Sequence, residues 1–288
     1  MANVVQDHIS KPASENAVNV VAPLTFIVPQ AEKPALYHTA YTGGAPDFRF
    51  AVEEHEVLVA DLRPHADAFT LDKEGFAFRT APTDVADLYD DNAVETAYYD
   101  EIRSLLTREY GASHVAVFDA TRRSDSGNGA SNKDGNRGPA SRIHVDYTAK
   151  SGPQRARDVL GAEEFDRLLK SGARIVQVNV WRPIRGPVQR SPLALADATS
   201  VEAADMIATD QVFPDRVGEI YHLSHNKDQR WYYVPEMTRD EALLIKGWDS
   251  LEDGRAQFTP HSAFPLPTQT DDTPARESIE VRTFVVIE

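Results

Sequence analysis

Short apolar stretches recur along the chain and predict a protein built mainly from strands. The clearest is Ala173–Ile184 (ARIVQVNVWRPI), in which β-branched residues form a run that favours a buried strand. Similar runs predict strands at Ala22–Pro29, His55–Arg63, His114–Arg123, Arg142–Thr148 and Arg276–Glu288. Gly218–His225 and Gln229–Glu236, separated by a short polar turn, predict a β-hairpin.

Apolar residues repeat at helical spacing in fewer places. Val94–Tyr110 is the best amphipathic segment, and Gly111 supplies a stop after it. The pattern predicts further helices at Arg155–Lys170 and Thr199–Ala208, and capping-box spacing of Thr and Glu predicts one over Thr238–Gly247. Strands nevertheless dominate the second half, so we expect an α+β fold with an antiparallel β-sandwich or barrel core.

Three regions lack an apolar pattern. Residues 1–21 are polar and predict a tail or arm, which leaves 22–288 as a single domain. Ser124–Ala140 (SDSGNGASNKDGNRGPA) is too polar to join a core, and predicts a plain surface loop, a mobile lid or a domain linker, although the strands on both sides favour one sheet system. The stretch 187–198 reads as a turn-rich connection.

Composition narrows the classes of function. The 288 residues carry 30 Lys and Arg against 45 Asp and Glu, a net charge of −15, and contain no cysteine. Disulfides and thiolate metal sites are therefore excluded, and nucleic-acid binding is disfavoured. No apolar run is long enough to span a membrane, and the N-terminus does not resemble a signal peptide. We expect a cytoplasmic protein with a small-molecule substrate, no nucleic-acid or membrane partner, and a homodimer on base rates alone.

Two residue pairs carry candidate chemistry. His144 and Asp146 project from the same face of a strand and could be two ligands of a facial triad for Fe(II), with His222, His225 or His261 as the third ligand. The pair alone is a weak motif, and an exposed polar strand end is the plain alternative. Arg276 and Ser278 also share a face, and a guanidinium plus a hydroxyl can hold a carboxylate.

The ordered pattern of His144-x-Asp146, a distant His261 and Arg276-x-Ser278 resembles the Fe(II)/2-oxoglutarate-dependent oxygenases. Arg142–Glu288 is similar to the group that includes the cephamycin C7 methoxylation protein and the AsaB-like hydroxylase/desaturases. The shared stretches are HVDYT, NVWRPIRGPV, SPLALAD, RWYYVPEMTRDEALLIKGWDS, PHSAF and RESIEVR. The resemblance implies a double-stranded β-helix (jelly-roll) core with flanking helices.

The resemblance also implies residue roles. The iron ligands would be His144, Asp146 and His261. Arg276, helped by Ser278, would hold the distal carboxylate of 2-oxoglutarate, with Arg282 on the same face as a competing choice. Asn179 is the candidate donor to the second polar end of 2-oxoglutarate, beside the metal. Arg182, on the opposite strand face, is either a second cofactor-binding residue or a salt-bridged strand end.

The implied activity is hydroxylation or desaturation of a small secondary metabolite, coupled to decarboxylation of 2-oxoglutarate to succinate, with Fe(II) and O₂. Retention of Asp146 favours oxidation without halide, because related halogenases leave that position empty for chloride. One alternative is a non-catalytic or partner-dependent binding protein on the same scaffold in a biosynthetic pathway. Another is a zinc hydrolase using His222 and His225, although positions i and i+3 of a strand face opposite sides.

Overall fold

The computed structural model describes residues 18–133 and 135–288, which contain seventeen strands and five α-helices. The strands are β1 Val20–Ile27, β2 Ala35–Tyr37, β3 Asp47–Phe48, β4 Val52–Asp61, β5 Phe76–Thr80, β6 His114–Ser124, β7 Ala130–Asn132, β8 Gly135–Arg137, β9 His144–Val145, β10 Arg174–Arg185, β11 Leu193–Ala196, β12 Met206–Val212, β13 Val217–Leu223, β14 Trp231–Tyr233, β15 Glu241–Asp249, β16 His261–Ala263 and β17 Glu277–Ile287. The helices are α1 Thr39–Thr42, α2 Asp91–Ala93, α3 Tyr99–Tyr110, α4 Ser151–Leu160 and α5 Ala162–Ser171. Most of the predicted N-terminal tail, residues 1–17, lies outside the described part.

Two sheets organise these strands. One has ten strands in the order β1-β4-β14-β11-β16-β9-β13-β12-β2-β3, and the other has five in the order β5-β15-β10-β17-β6. Trp181 and Leu243 of the smaller sheet pack with Leu195 of the larger one, so these apolar side chains lie between the sheets. Burying each such side chain contributes about 1.5–3 kcal/mol.

Alternation along β10 decides which side chains face the space between the sheets. Val178 and Val180 are fully buried on the outer face, in one cluster with Leu105 of α3. The intervening residues Asn179 and Trp181 therefore project inward. The predicted amphipathic helix is confirmed as α3, preceded by a π-helical turn over Val94–Tyr98.

Several predicted elements are wrong. Arg155–Lys170 is two helices, because Gly161 adopts a φ of 87° between α4 and α5. The helix predicted over Thr199–Ala208 is two 3₁₀ turns followed by β12. The predicted turn-rich connection 187–198 contains β11.

The helix predicted over Thr238–Gly247 is instead the start of β15. The capping contact forms, since the Thr238 backbone N–H donates to the Glu241 carboxylate at 2.8 Å, but a strand follows it. Its apolar residues, such as Leu244, gain more from burial between β5 and β10 than from a local helix.

The predicted hairpin of Gly218–His225 and Gln229–Glu236 is also wrong. Strand β13 pairs with β12 and β9, whereas β14 pairs with β4 and β11. Ser124–Ala140 contains the short hairpin β7–β8. Within the described residues, no helix is long and apolar enough to cross a membrane.

Candidate active site

The larger sheet brings the three predicted metal ligands together. His144 on β9 lies directly opposite His261 on β16, and their ring centroids are 4.6 Å apart. Asp146 follows two residues later, with its Oδ1 3.7 Å from Nε2 of His144. All three side chains are largely buried. A pattern spread over more than a hundred positions of the chain therefore converges at one place.

Both imidazoles are oriented by backbone carbonyls. Nδ1 of His144 lies 2.9 Å from the carbonyl oxygen of Arg142, and Nδ1 of His261 lies 2.9 Å from that of Thr259. Such bonds place the proton on Nδ1 and leave Nε2 as the metal-binding lone pair. Burial and the neighbouring His261 lower the pKa of His144 to about 3, so its imidazole is neutral. This donor set fits Fe(II).

Asp146 is held by two neighbouring side chains. It accepts a hydrogen bond from Nδ2 of Asn179 at 2.6 Å, and Nη2 of Arg282 lies 3.4 Å away. Burial raises the pKa of Asp146, but attraction to Arg282, together with the hydrogen bond from Asn179, outweighs burial and lowers it overall. The carboxylate is therefore ionised, as a metal ligand must be.

Asn179 is itself oriented by Gln177, whose Nε2 donates to the Asn179 Oδ1 at 2.6 Å. The structure therefore places Asn179 beside the predicted metal position, with its amide donor directed at Asp146. Within the described residues, no group of three His, Asp or Glu side chains is already arranged around a metal position. The Asp146 carboxylate instead contacts Asn179 and Arg282.

The two candidate arginines, Arg276 just before β17 and Arg282 within it, differ in their partners. The Arg282 guanidinium pairs with Asp119 at 2.9 Å and with Glu280 at 3.0 Å, in addition to its contact with Asp146. Its attraction to Asp146 and Glu280 overcomes burial and raises its pKa. Arg282 is thus already surrounded by carboxylates and is poorly suited to receive another anion.

Arg276 has unused hydrogen-bonding capacity. It is 3% exposed, its Nη1 donates to the Ser191 carbonyl at 3.0 Å, and its buried Nε has no partner. The guanidinium lies over the Trp181 ring, 5.8 Å from its centroid, and burial lowers its pKa to about 10. Ser278 follows two residues later, near the start of β17. A buried guanidinium with a free donor fits a ligand carboxylate.

The expectation for Arg182 needs correction. Its side chain lies on the outer face of β10, over the ring of Tyr98 and hydrogen-bonded to the Arg239 carbonyl at 3.0 Å. There it lines a groove of about 610 Å³ that includes Ile102 and Leu105 of α3. The structure does not bring Arg182 to the histidine cluster, because strand alternation sends it away from Asn179.

The zinc alternative has no geometric support. Nδ1 of His222 contacts the Thr209 hydroxyl at 3.0 Å. His225 instead stacks on His55, with ring centroids 3.8 Å apart and planes 3° apart. The two imidazoles therefore contact different residues and do not converge on a common metal position. His225 does not line the site, although His222 lies opposite His144 across β9 and β13.

Residue-level reasoning missed the contribution of β6. In the register of β6 with β17, Asp119 lies opposite Arg282 and Arg123 lies opposite Ser278. The alternation of the predicted strand His114–Arg123 carried this information, since residues 119, 121 and 123 share a face. What was lacking was the identity of the neighbouring strand.

Comparison with known proteins gives a consistent result. Residues 24–286 match a family model described as "Oxidoreductase/YMDC permease-like domain". The chain is 33% identical to the hydroxylase/desaturase efuI of Hormonema carpetanum over 258 residues, 82% of this chain and 85% of that protein. It is 30% identical to the Fe(II)/2-oxoglutarate-dependent dioxygenase nvfI of Aspergillus novofumigatus over 272 residues, 91% of this chain and 95% of that protein. A solved structure of the iron and alpha-ketoglutarate-dependent endoperoxidase NvfI superposes with a TM-score of 0.81 at 28% identity, covering 93% of this chain and 97% of the other.

Proposed function

The chain belongs to this oxidoreductase family, together with fungal hydroxylase/desaturases and Fe(II)/2-oxoglutarate-dependent dioxygenases, and on this premise we propose its reaction. It hydroxylates or desaturates a small-molecule secondary metabolite, using Fe(II) and O₂, and converts 2-oxoglutarate to succinate. The observation that carries this proposal is the convergence of His144, Asp146 and His261 at one place. There Asp146 also forms an ion pair with Arg282.

The residues of the chain have distinct roles in this proposal. His144, Asp146 and His261 hold the iron, which together with 2-oxoglutarate and O₂ supplies an oxidant for a C–H bond. Carbonyl oxygens fix both imidazoles, while Asn179 keeps the carboxylate in place. Arg276 holds the distal carboxylate of 2-oxoglutarate through its free donor, with the Ser278 hydroxyl beside it.

We propose further that the core is a double-stranded β-helix. Eight strands, β6, β9, β10, β11, β14, β15, β16 and β17, support this interpretation. If they are numbered one to eight along the chain, the smaller sheet runs one-eight-three-six and the larger sheet two-seven-four-five. The first three and the last three of these strands alternate between the sheets, as in a jelly roll.

The segment Ser124–Ala140 is proposed to be a lid. Asp125 accepts a hydrogen bond from the Arg276 backbone at 2.7 Å, and Arg123 donates to the Gly138 carbonyl at 3.0 Å. Both ends of the segment therefore contact residues of the site. Binding of N-oxalylglycine, a 2-oxoglutarate analogue, should slow amide exchange here, and unchanged exchange would count against a lid.

The setting of the enzyme is also proposed. It acts in the cytoplasm, as a monomer or homodimer, on a small molecule and without a nucleic-acid or membrane partner. The acidic balance of the chain, with a net charge of −15, supports the absence of a nucleic-acid partner.

The test is iron-dependent formation of succinate from 2-oxoglutarate. Wild type should turn over with Fe(II), and His144→Ala or Asp146→Ala should reduce turnover to background while the folded state persists in circular dichroism. His225→Ala is the matched control, because His225 stacks on His55 outside the site, and it should keep wild-type turnover. Iron-dependent turnover that survives His144→Ala would overturn the assignment. Binding of 2-oxoglutarate without any turnover would favour a non-catalytic binding protein.

A further inference from the structure

A strip of charged residues lines the inner face of the smaller sheet. Asp119 and Arg123 come from β6, and Glu280 and Arg282 come from β17. Three of these four residues form ion pairs with one another, since Arg282 pairs with Asp119 at 2.9 Å and with Glu280 at 3.0 Å. Arg123 is the member of the strip that this pairing leaves out.

Arg123 has few partners of its own. Its Nη1 donates to the carbonyl oxygen of Gly138 at 3.0 Å. Among residues 18–133 and 135–288, it forms no ion pair with a carboxylate. Glu280 acts on it electrostatically, but that carboxylate is bonded to Arg282. A partly buried guanidinium without a carboxylate is costly unless a ligand completes it.

Arg123 lies on the face of the smaller sheet that also carries Arg282, one end of which reaches the candidate site. It lies opposite Ser278, within electrostatic reach of Asp146 and Arg276. Burial lowers the pKa of Arg123, and the positive charge of Arg282 lowers it further. The side chain is only partly buried, so part of it is open to a ligand that arrives from solvent.

Two guanidiniums with spare capacity therefore face one site. Arg276 is almost fully buried, and the proposed function assigns its free Nε to the carboxylate of 2-oxoglutarate. Arg123 is nearer the solvent and is tied to the proposed lid through Gly138. Binding of 2-oxoglutarate does not require Arg123, because Arg276 holds the distal carboxylate and the opposite end of the molecule binds the metal.

We propose that Arg123 is a specificity-determining residue that binds a carboxylate of the primary substrate, so that the enzyme acts on carboxylated small molecules. This inference rests on the proposed function and adds the chemical class of its substrate. A protein of net charge −15 repels anions at long range, so an anionic substrate needs such a local cation. The Arg123 guanidinium can bind a carboxylate in a bidentate manner.

The test uses acetate, the smallest organic carboxylate with a methyl group, so that shape does not limit binding. The protein is loaded with Mn(II) in place of iron and saturated with N-oxalylglycine, and relaxation of ¹³C-acetate by the Mn(II) is followed by NMR. Wild type should show saturable relaxation. Arg123→Met should weaken acetate binding about tenfold or more. Arg123→Lys should retain part of it, and Arg103→Met, which removes a cation from the solvent-exposed face of α3, should match wild type.

Each outcome decides the inference. Titration with N-oxalylglycine reports separately on the proposed function and on the folding of each variant. If Mn(II) and N-oxalylglycine fail to bind wild type, the proposed function fails. If they bind but acetate shows no saturable relaxation, or if Arg123→Met relaxes acetate like wild type, the substrate inference fails. If Arg123→Met instead abolishes N-oxalylglycine binding, Arg123 belongs to the cosubstrate site and the inference is overturned.

Discussion

Two groups of buried charges lie in this molecule and are used differently. At one end of the smaller sheet, Lys246 and Asp249 are completely inaccessible and pair at 2.8 Å, with Arg174 and Asp72 completing a network. At the candidate site, Arg276 is 3% exposed and leaves Nε without a partner. Both groups place cations in the interior, but only the first supplies all of their partners.

The difference separates structural charge from charge kept for a ligand. Nζ of Lys246 donates to Asp249, to Asp72 and to the Ala256 carbonyl, so its three donors are used. Such a network fixes the position of β15 against β10 and has nothing left to bind. An incompletely paired guanidinium lowers the stability of the free protein and is expected where a ligand supplies the missing acceptor.

The largest expected effect comes from breaking the complete network. Lys246→Met should lower the free energy of unfolding by about 3–5 kcal/mol, because it leaves the Asp249 carboxylate buried with one cation fewer. Urea unfolding followed by tryptophan fluorescence measures this change. Lys227→Met, at an exposed pair with Asp228, is the control and should change stability by about 0.5 kcal/mol or less. A Lys246 variant as stable as the control would remove the distinction between the two groups.

The next effect concerns the incomplete group. N-oxalylglycine at about 100 times its dissociation constant should stabilise the metal-loaded wild type by about 2.7 kcal/mol. Arg276→Met should lose this increment, because the distal carboxylate then has no cation. Lys246→Met should keep the increment on a lower baseline, as seen by the same urea titration with and without ligand. If N-oxalylglycine stabilises the Arg276 variant as much as wild type, Arg276 does not bind the distal carboxylate, and Arg282 becomes the candidate for that role.

Sequence reasoning anticipated these two groups to different extents. The pair His144 and Asp146 could be predicted from the sequence, because positions i and i+2 share a strand face whatever the tertiary structure. The pair Arg276 and Ser278 was predicted from the same spacing. The assignment of His261 needed the family resemblance, since no local rule joins residues more than a hundred positions apart.

The elements that sequence reasoning misjudged depend on strand neighbours. The predicted capping contact between Thr238 and Glu241 forms, yet a strand follows it and not a helix. This strand, Glu241–Asp249, is almost entirely buried and contains Lys246. Arg123 and Asp119 were seen as strand residues, but their place beside the site follows from the pairing of β6 with β17. Charge pairing across sheets is long-range, and the periodicity of one segment does not encode it.

A smaller effect should follow from loosening the hold on Asp146. Arg282→Met removes the main cation beside that carboxylate and should weaken metal binding about 10–100-fold, as is usual for residues that orient metal ligands. Titration with Mn(II) measures the dissociation constant, with Arg103→Met as the charge-matched control. An unchanged constant would mean that Asn179 alone positions the carboxylate, and Asn179→Ala should then carry the loss.

The smallest effect is a pH dependence at the rim of the complete network. Burial raises the pKa of Asp72, but its bonds to Arg174 and Lys246 outweigh burial and lower it to about 2. Because the folded pKa lies below the unfolded value of 3.8, ionised Asp72 stabilises the fold above about pH 4. That contribution is lost as the pH falls toward 2. The side chain is half exposed, so solvent screening limits the contribution to about 1 kcal/mol or less.

Wild type should therefore exceed Asp72→Asn in urea stability at pH 7, with the difference shrinking as the pH falls from 4 toward 2. A difference that stays constant over this range would show that Asp72 acts through packing and not through its charge.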